Sequence, residues 1–397
     1  MENREPRDGS PSQMVPLKDL YTNFGQYSVF DNHETGLSKA DRTAPSYNEG
    51  GAQANGTFVN QSQGFKDRIQ AYREYQPVAA TLISNSSDLR QLQTYQFYRT
   101  IPWGANLTLF VVDDRSYRDN RLVNADDPAA ASCDRTMLGA AQLKWLEDSL
   151  LQAQQAQTTW KLVTISSPIQ QLGTAAEIGN DQDSTKSWPG DYACERNKLL
   201  GFIDQNAIDN VVFITTDNHY TVINNLMYNT TPGDLKSPLK PVRNAIEILT
   251  GPIGAGPGNP TSKLTVDTTG LSARDADRKI LAVWNGDQPN SNGQLKGLKQ
   301  AGLDPIGLQD YPGLVADSVS AIGIPAGTIE AANFASLNTF AYAVLNFDKT
   351  SLTVTVKGFP AIADAQSLTR PDALKQYEDS QTQQILTFKI KANSLQK

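Results

Sequence analysis

Three short, uninterrupted apolar runs constrain this chain more than any other feature. They are LTLFVVD at Leu107–Asp113, WKLVTI at Trp160–Ile165 and NVVFIT at Asn210–Thr215. Each is as long as one strand and none alternates, which is the pattern of a strand covered on both faces. Segments of helical spacing separate them. Met137–Gln152 sets Leu138, Gln142, Trp145, Leu146 and Ser149 on one stripe, widened by Leu143, Leu150 and Leu151. A second helix over about Ala193–Gln205 has Leu199, Leu200, Phe202 and Ile203 to bury. Strand–helix–strand at this spacing predicts a predominantly parallel α/β sheet, with ligands near the C-terminal ends of its strands. The last quarter alternates instead, at Asn338–Phe347, Ser351–Lys357 and Gln384–Ile390. Those runs predict antiparallel strands completing one mixed α/β domain.

Composition excludes several classes. With 39% hydrophobic and 19% charged residues, the chain has enough apolar material to fold. A net charge of −7 gives no patch for nucleic acid or an anionic membrane. No apolar run approaches the roughly 18 residues of a membrane span. The start, MENREPRDGSPSQ, lacks the apolar stretch of a secretory signal. The chain is therefore cytosolic, or a mature or truncated form. A Gly-, Pro- and Asn-rich stretch near 250–300 reads as an insertion or a surface excursion. Cys133 and Cys194 form one bridge or two free thiols, and both remain open. No G-x-S-x-G elbow exists and neither Cys has a His near it in sequence, so nucleophilic hydrolases find no support. GPIGAGPG lacks the Lys-Ser/Thr of a phosphate loop.

Chemistry centres on the two histidines. His219 ends Thr216-Asp217-Asn218-His219, directly after the NVVFIT run. A carboxylate and an imidazole leaving one buried strand suit a metal such as Zn, Fe or Mn. The bland alternative is a polar Asx turn with His219 exposed. His33 lies in Asp31-Asn32-His33-Glu34, where the Asn32 amide oxygen can ligate a metal and His33 can protonate a leaving group. A polar turn is again the alternative for this tetrapeptide. Asp113-Asp114-Arg115-Ser116-Tyr117-Arg118 follows the first run. Arg115 or Arg118 could hold an anion, although such arginines more often pair with nearby carboxylates at the surface.

At these tetrapeptides the sequence resembles the PhoD-like alkaline phosphatase and phosphodiesterase family of binuclear metallophosphoesterases. The resemblance continues through NQSQGFKDRIQAYREYQPV, FYRTIPWGANLTLFVVDDRSYRD, TMLGAAQLKWLEDSL and TTWKLVTISSP. It is strongest at SWPGDYACERNKLLGFI and NVVFITTDNHY, and NTFAYAVLNFDKTSLTVTVKGF fits too. It implies a metallophosphoesterase-like two-sheet sandwich flanked by helices, with antiparallel C-terminal strands. The whole chain, 1–397, is then one such domain, with a loop-rich insertion over 250–335. The family hydrolyses phosphate mono- and diesters and is usually exported, to the periplasm or outside the cell. Its binuclear centre holds iron and calcium in characterised types, and other divalent ions are possible. By motif, Asn32, Asp217 and His219 resemble its metal ligands and His33 its general acid, with Arg115 a weaker substrate-binding candidate.

The departures are specific. Family members carry an earlier G-D-x-x-Y segment whose Asp bridges the metals, and none precedes Asp31 here; Leu37 stands where many relatives have Asn. The expectation is a member truncated at its N-terminal side, with a partial centre and impaired hydrolysis. A phosphatase-fold protein that binds a phosphorylated ligand without catalysis is the alternative. A secreted β-rich adhesion or carbohydrate-binding protein is a third possibility, but it does not explain the strand–helix–strand core.

Overall fold

In a computed structural model, the described residues are 20–31, 34, 63–76, 78–119, 122, 127–169, 188–217, 221–251, 314–321, 335–336, 339–360 and 383–393. They fall into two compact units, Met1–Arg99 with Val111–Asn120 and Thr100–Phe110 with Arg121–Lys397. Most of the expected 250–335 insertion lies outside the described residues.

The smaller unit contains helix α1 (Gln63–Tyr75) and the short antiparallel pair β1 (Thr81–Ile83) and β2 (Thr94–Gln96). Phe65, Ile69 and Tyr72 recur at helical spacing on α1 and bury against Phe30 and Phe97. Phe30, Tyr72 and Phe97 meet edge to face, with centroids 5.2–5.7 Å apart. That geometry places positive ring edges on negative faces. The Tyr72 hydroxyl donates to Ser28 Oγ at 2.8 Å. This aromatic core fixes the chain at Phe30, one residue before the first His-containing tetrapeptide.

The larger unit is built on a seven-stranded sheet. Its strands are β3 (Arg99–Trp103), β4 (Leu107–Val111), β5 (Trp160–Thr164), β6 (Val211–Thr215), β7 (Thr221–Asn229), β8 (Leu239–Leu249) and, further along the chain, β10 (Ala335–Ser336). The spatial order is β10-β7-β8-β6-β5-β4-β3. The expected apolar runs became β4, β5 and β6, and Val211, Val212 and Phe213 are fully buried. β5–β6 and β6–β8 are parallel. β7 and β8 form an antiparallel hairpin that sequence periodicity did not reveal. Its strands mix apolar residues with Asn, Arg and Glu, so they read neither as alternating nor as continuous.

Helix α2 (Ala140–Gln155) buries Gln142, Leu146, Leu150 and Ala153. It begins three residues later than its spacing predicts, for a tertiary reason. The backbone N–H groups of Met137 and Leu138 donate to the Glu195 carboxylate, and Gly139 at the cap takes φ 74°. The short α3 (Trp188–Asp191) leads into α4 (Ala193–Gln205), whose bounds match the expectation. Cys133 and Cys194 are joined in a disulfide with Cα atoms 5.1 Å apart, which settles the open alternative.

The C-terminal strands are antiparallel, as expected. β11 (Thr339–Phe347), β12 (Ser351–Pro360) and β13 (Gln383–Lys391) form a four-stranded sheet with β9 (Leu314–Ala321), in the order β11-β12-β13-β9. Trp160 at the head of β5 ties this sheet to the larger one. Its indole N–H donates to the Asp348 carbonyl at 2.8 Å and its ring meets Phe347 edge to face.

Asp348 also organises the β11–β12 turn. Its carboxylate accepts the Thr350 and Ser351 backbone N–H groups at 2.6 and 2.8 Å, and both hydroxyls as well. These bonds hold its pKa down to about 2. A carboxylate depressed on folding contributes stability that is complete above its unfolded pKa and fades as pH falls toward the folded one. Wild type should therefore lose a component of stability between about pH 4 and pH 2 that Asp348→Asn lacks, read from unfolding midpoints across that range. The disulfide predicts no free thiol in the denatured, unreduced protein. Replacing both cysteines by Ser should cost about 2–4 kcal/mol in a denaturant titration.

Candidate functional site at the strand ends

Parallel strands aim their C-terminal ends at one rim, where side chains of successive loops gather. Here β5, β6 and β8 supply that rim, and backbone bonds lock their ends together. Ile165 N–H donates to Ile214 O at 3.0 Å, and Thr250 N–H to Thr215 O at 3.2 Å. Thr216 donates twice to Ser166 O, from its backbone N–H and its hydroxyl, each at 3.1 Å.

Directly beyond Thr216, Asp217 takes φ 64°. A non-glycine residue in the left-handed region is uncommon, and Asp is among those that tolerate it best. The turn leaves Asp217 half-buried, two residues past the last residue of β6. Asp217 is the one anionic oxygen donor of the expected ligand set, and a hard cation suits it. Asn32, His33 and His219 lie outside the described residues. Among the described residues, no three His, Cys, Asp or Glu side chains cluster closely enough to hold a metal ion.

Beneath the rim runs a layer of buried charge. Glu247 on β8 is fully buried, and its Oε1 accepts the Thr215 hydroxyl at 2.5 Å and the Ile169 N–H at 2.9 Å. Arg196 on α4 is 1% exposed. Its guanidinium donates to the carbonyl of Ile169, to Met227 O at 2.8 Å and to Asn197 Oδ1 at 3.1 Å. Burial lowers its pKa to about 10, against the pull of Glu247. Glu195, its neighbour, accepts from the Thr136 hydroxyl, from Met137 and Leu138 N–H at 2.9 and 3.1 Å, and from the Trp188 indole at 3.1 Å. Its pKa still rises, so desolvation outweighs all four bonds.

Helical periodicity missed these buried charges because it weighs only apolar positions. The signal available was the run Cys194-Glu195-Arg196-Asn197, inside the segment where the family resemblance is strongest.

In the smaller unit, the Asp31 backbone N–H donates to Glu34 Oε2 at 2.8 Å, and Asp31 Oδ1 accepts from Arg115. Arg115 is fully buried and also lies 3.9 Å from the Asp114 carboxylate, while Arg118 reaches Asp114 at 3.4 Å. The expected pairing of these arginines with neighbouring carboxylates is present, but in the interior and not at the surface. Asp113 Oδ1 accepts the N–H groups of Arg115 and Ser116 at 3.0 and 2.9 Å. Burial pushes its pKa up to about 6 despite these bonds.

Residues 15–298 match the family model described as PhoD-like phosphatase. Alkaline phosphatase D of Bacillus subtilis (strain 168) is 26% identical over 223 residues, covering 53% of this chain and 33% of that protein. The chain thus spans about a third of the length of that curated relative. A solved structure described as the structure of PhoD covers 77% of this chain and 46% of its own, at 19% identity and a TM-score of 0.45.

The ion pairs of buried Arg115, with part-exposed Asp31 and buried Asp114, generate a stability prediction. Arg115→Met leaves the fully buried Asp114 carboxylate short of a cation, and breaking a buried pair typically costs about 3–5 kcal/mol. Urea denaturation should show a loss of that size. A loss below about 1 kcal/mol, the range of exposed pairs, would mean the guanidinium is hydrated in solution.

Proposed function

The chain belongs to the PhoD-like phosphatase family, and from that premise we propose that it hydrolyses phosphate mono- or diesters with the help of bound metal ions. The observation that carries this is the span of the family match, residues 15–298, which encloses both histidine tetrapeptides. The strand-end position of Asp217 supports it, since ligands of parallel sheets collect there.

The proposed ligands are Asn32 through its amide oxygen, Asp217 through its carboxylate and His219 through its imidazole. An iron–calcium pair is the proposed centre, with other divalent ions as substitutes. Such ions supply positive charge that activates water and stabilises a phosphoryl transition state. His33 donates a proton to the leaving oxygen as the ester bond breaks. Arg115 takes second place, because its guanidinium is fully buried and contact with a phosphate would require its pair with Asp31 to open.

Three ligands with one formal negative charge hold a highly charged centre loosely. That favours weak metal retention and slow turnover by this chain, and it keeps a second function in view, binding of a phosphorylated ligand without hydrolysis. The whole chain is proposed to work as one domain, its two larger sheets packed as a sandwich and 250–335 forming an insertion. The Cys133–Cys194 disulfide supports an oxidising compartment, extracellular or periplasmic. No helix among the described residues is long and apolar enough to cross a membrane.

The test is turnover of nitrophenyl phosphate mono- and diesters by this 397-residue chain with added metal. Slow, metal-dependent hydrolysis is expected, lowered a further 100- to 10,000-fold, roughly, by His33→Ala. Robust turnover indifferent to His33→Ala would overturn the role of His33. Tight binding of a phosphate ester with no turnover would favour the second function.

A further inference from the structure

We propose that Glu247 is a positioning residue for the turn at Asp217, acting through the hydroxyl of Thr215. The inference rests on the metal-ligand role given to that turn above.

The geometry begins with register. β6 and β8 are parallel, with Phe213 opposite Glu247 and Thr215 opposite Leu249. Alternate residues of a strand share a face, so Glu247 and Thr215 lie on the same side of the sheet. A single carboxylate oxygen then takes the Thr215 hydroxyl at 2.5 Å and the Ile169 N–H at 2.9 Å. One bond holds the residue two before Asp217. The other holds the segment that leaves β5. The Ile169 carbonyl is gripped in turn by Arg196, so the two polar groups of this residue are tied to opposite charges.

A buried carboxylate is an expensive way to fill space, since a well-packed apolar side chain of similar volume is often as stable or more so. What the carboxylate adds is direction. Its bonds with Thr215 and Ile169 go to the last residue of β6 and to the segment leaving β5. Asp217 with φ 64° is the kind of residue that persists only when its surroundings over-determine it. The Thr215–Glu247 bond lies before that residue, and the two Thr216–Ser166 bonds pin the one adjacent to it. Partners that orient a metal ligand without touching the metal commonly govern affinity by about 10- to 100-fold.

The experiment measures the dissociation constant for manganese(II) by calorimetry on the full chain, alongside unfolding of the metal-free protein. Thr215→Val is nearly isosteric and removes only the donor; Thr215→Ser restores it. Thr215→Val leaves the buried Glu247 carboxylate one bond short, so its metal-free unfolding midpoint should fall; at a temperature where it is still fully folded it should bind manganese about 10- to 100-fold more weakly, while Thr215→Ser should stay close to wild type in both. Should Thr215→Val not fold, Thr215→Ala carries the same comparison against Thr215→Ser. Wild-type affinity in Thr215→Val, or equal loss in Val and Ser variants, would overturn the positioning role while leaving the metal-ligand role standing. A wild-type chain that binds no manganese, iron or calcium would overturn the metal-ligand role and this inference with it.

Discussion

Two consecutive buried charges, Glu195 and Arg196, are the constraint on which the larger unit depends. Removing either from water costs several kcal/mol unless its bonds are completed. Glu195 completes them with Trp188 and with residues 136–138, and so sets where α2 can begin. Arg196 turns the other way, to Ile169 and Met227. Cys194, just before them, is covalently bound to Cys133. Three successive residues at the head of α4 thus fasten three separate parts of the chain. The apolar face formed by Leu199, Leu200 and Ile203 drives α4 onto the sheet. Burial of that kind is non-directional, however, and would tolerate a shifted or rotated helix. The charged bonds would not.

The same division of labour holds at the strand ends. Val211, Val212 and Phe213 commit β6 to the interior of the sheet. Thr215, still fully buried, and exposed Thr216 make directed bonds to Glu247 and Ser166. Hydrophobic pattern gives way to polar pattern over two residues, and Asp217 departs in a left-handed turn.

In the smaller unit an aromatic core performs the anchoring. Phe30 is clamped by Tyr72 and Phe97, and Asp31 follows with its carboxylate on buried Arg115. Large rings supply most of the burial, while the ion pair supplies direction at Asp31.

The sequence by itself determined the elements whose burial follows a simple period. β4, β5 and β6 were legible because both faces are covered, α4 because four apolar residues recur at its spacing, and β11–β13 because one face is apolar. Family membership was legible from ordered motifs. Asp217 was legible only as a candidate, because a carboxylate after a buried strand suits a polar Asx turn as readily as a metal. Tertiary structure alone decided the rest. The β7–β8 hairpin owes its place to pairing partners more than to its own pattern, and the start of α2 is displaced by a carboxylate 57 residues away. The disulfide needed two distant segments to meet. Glu195, Arg196 and Glu247 were illegible for a common reason: in sequence a charged residue reads as solvent-facing. Only the fold reveals that its bonds have been completed in the interior.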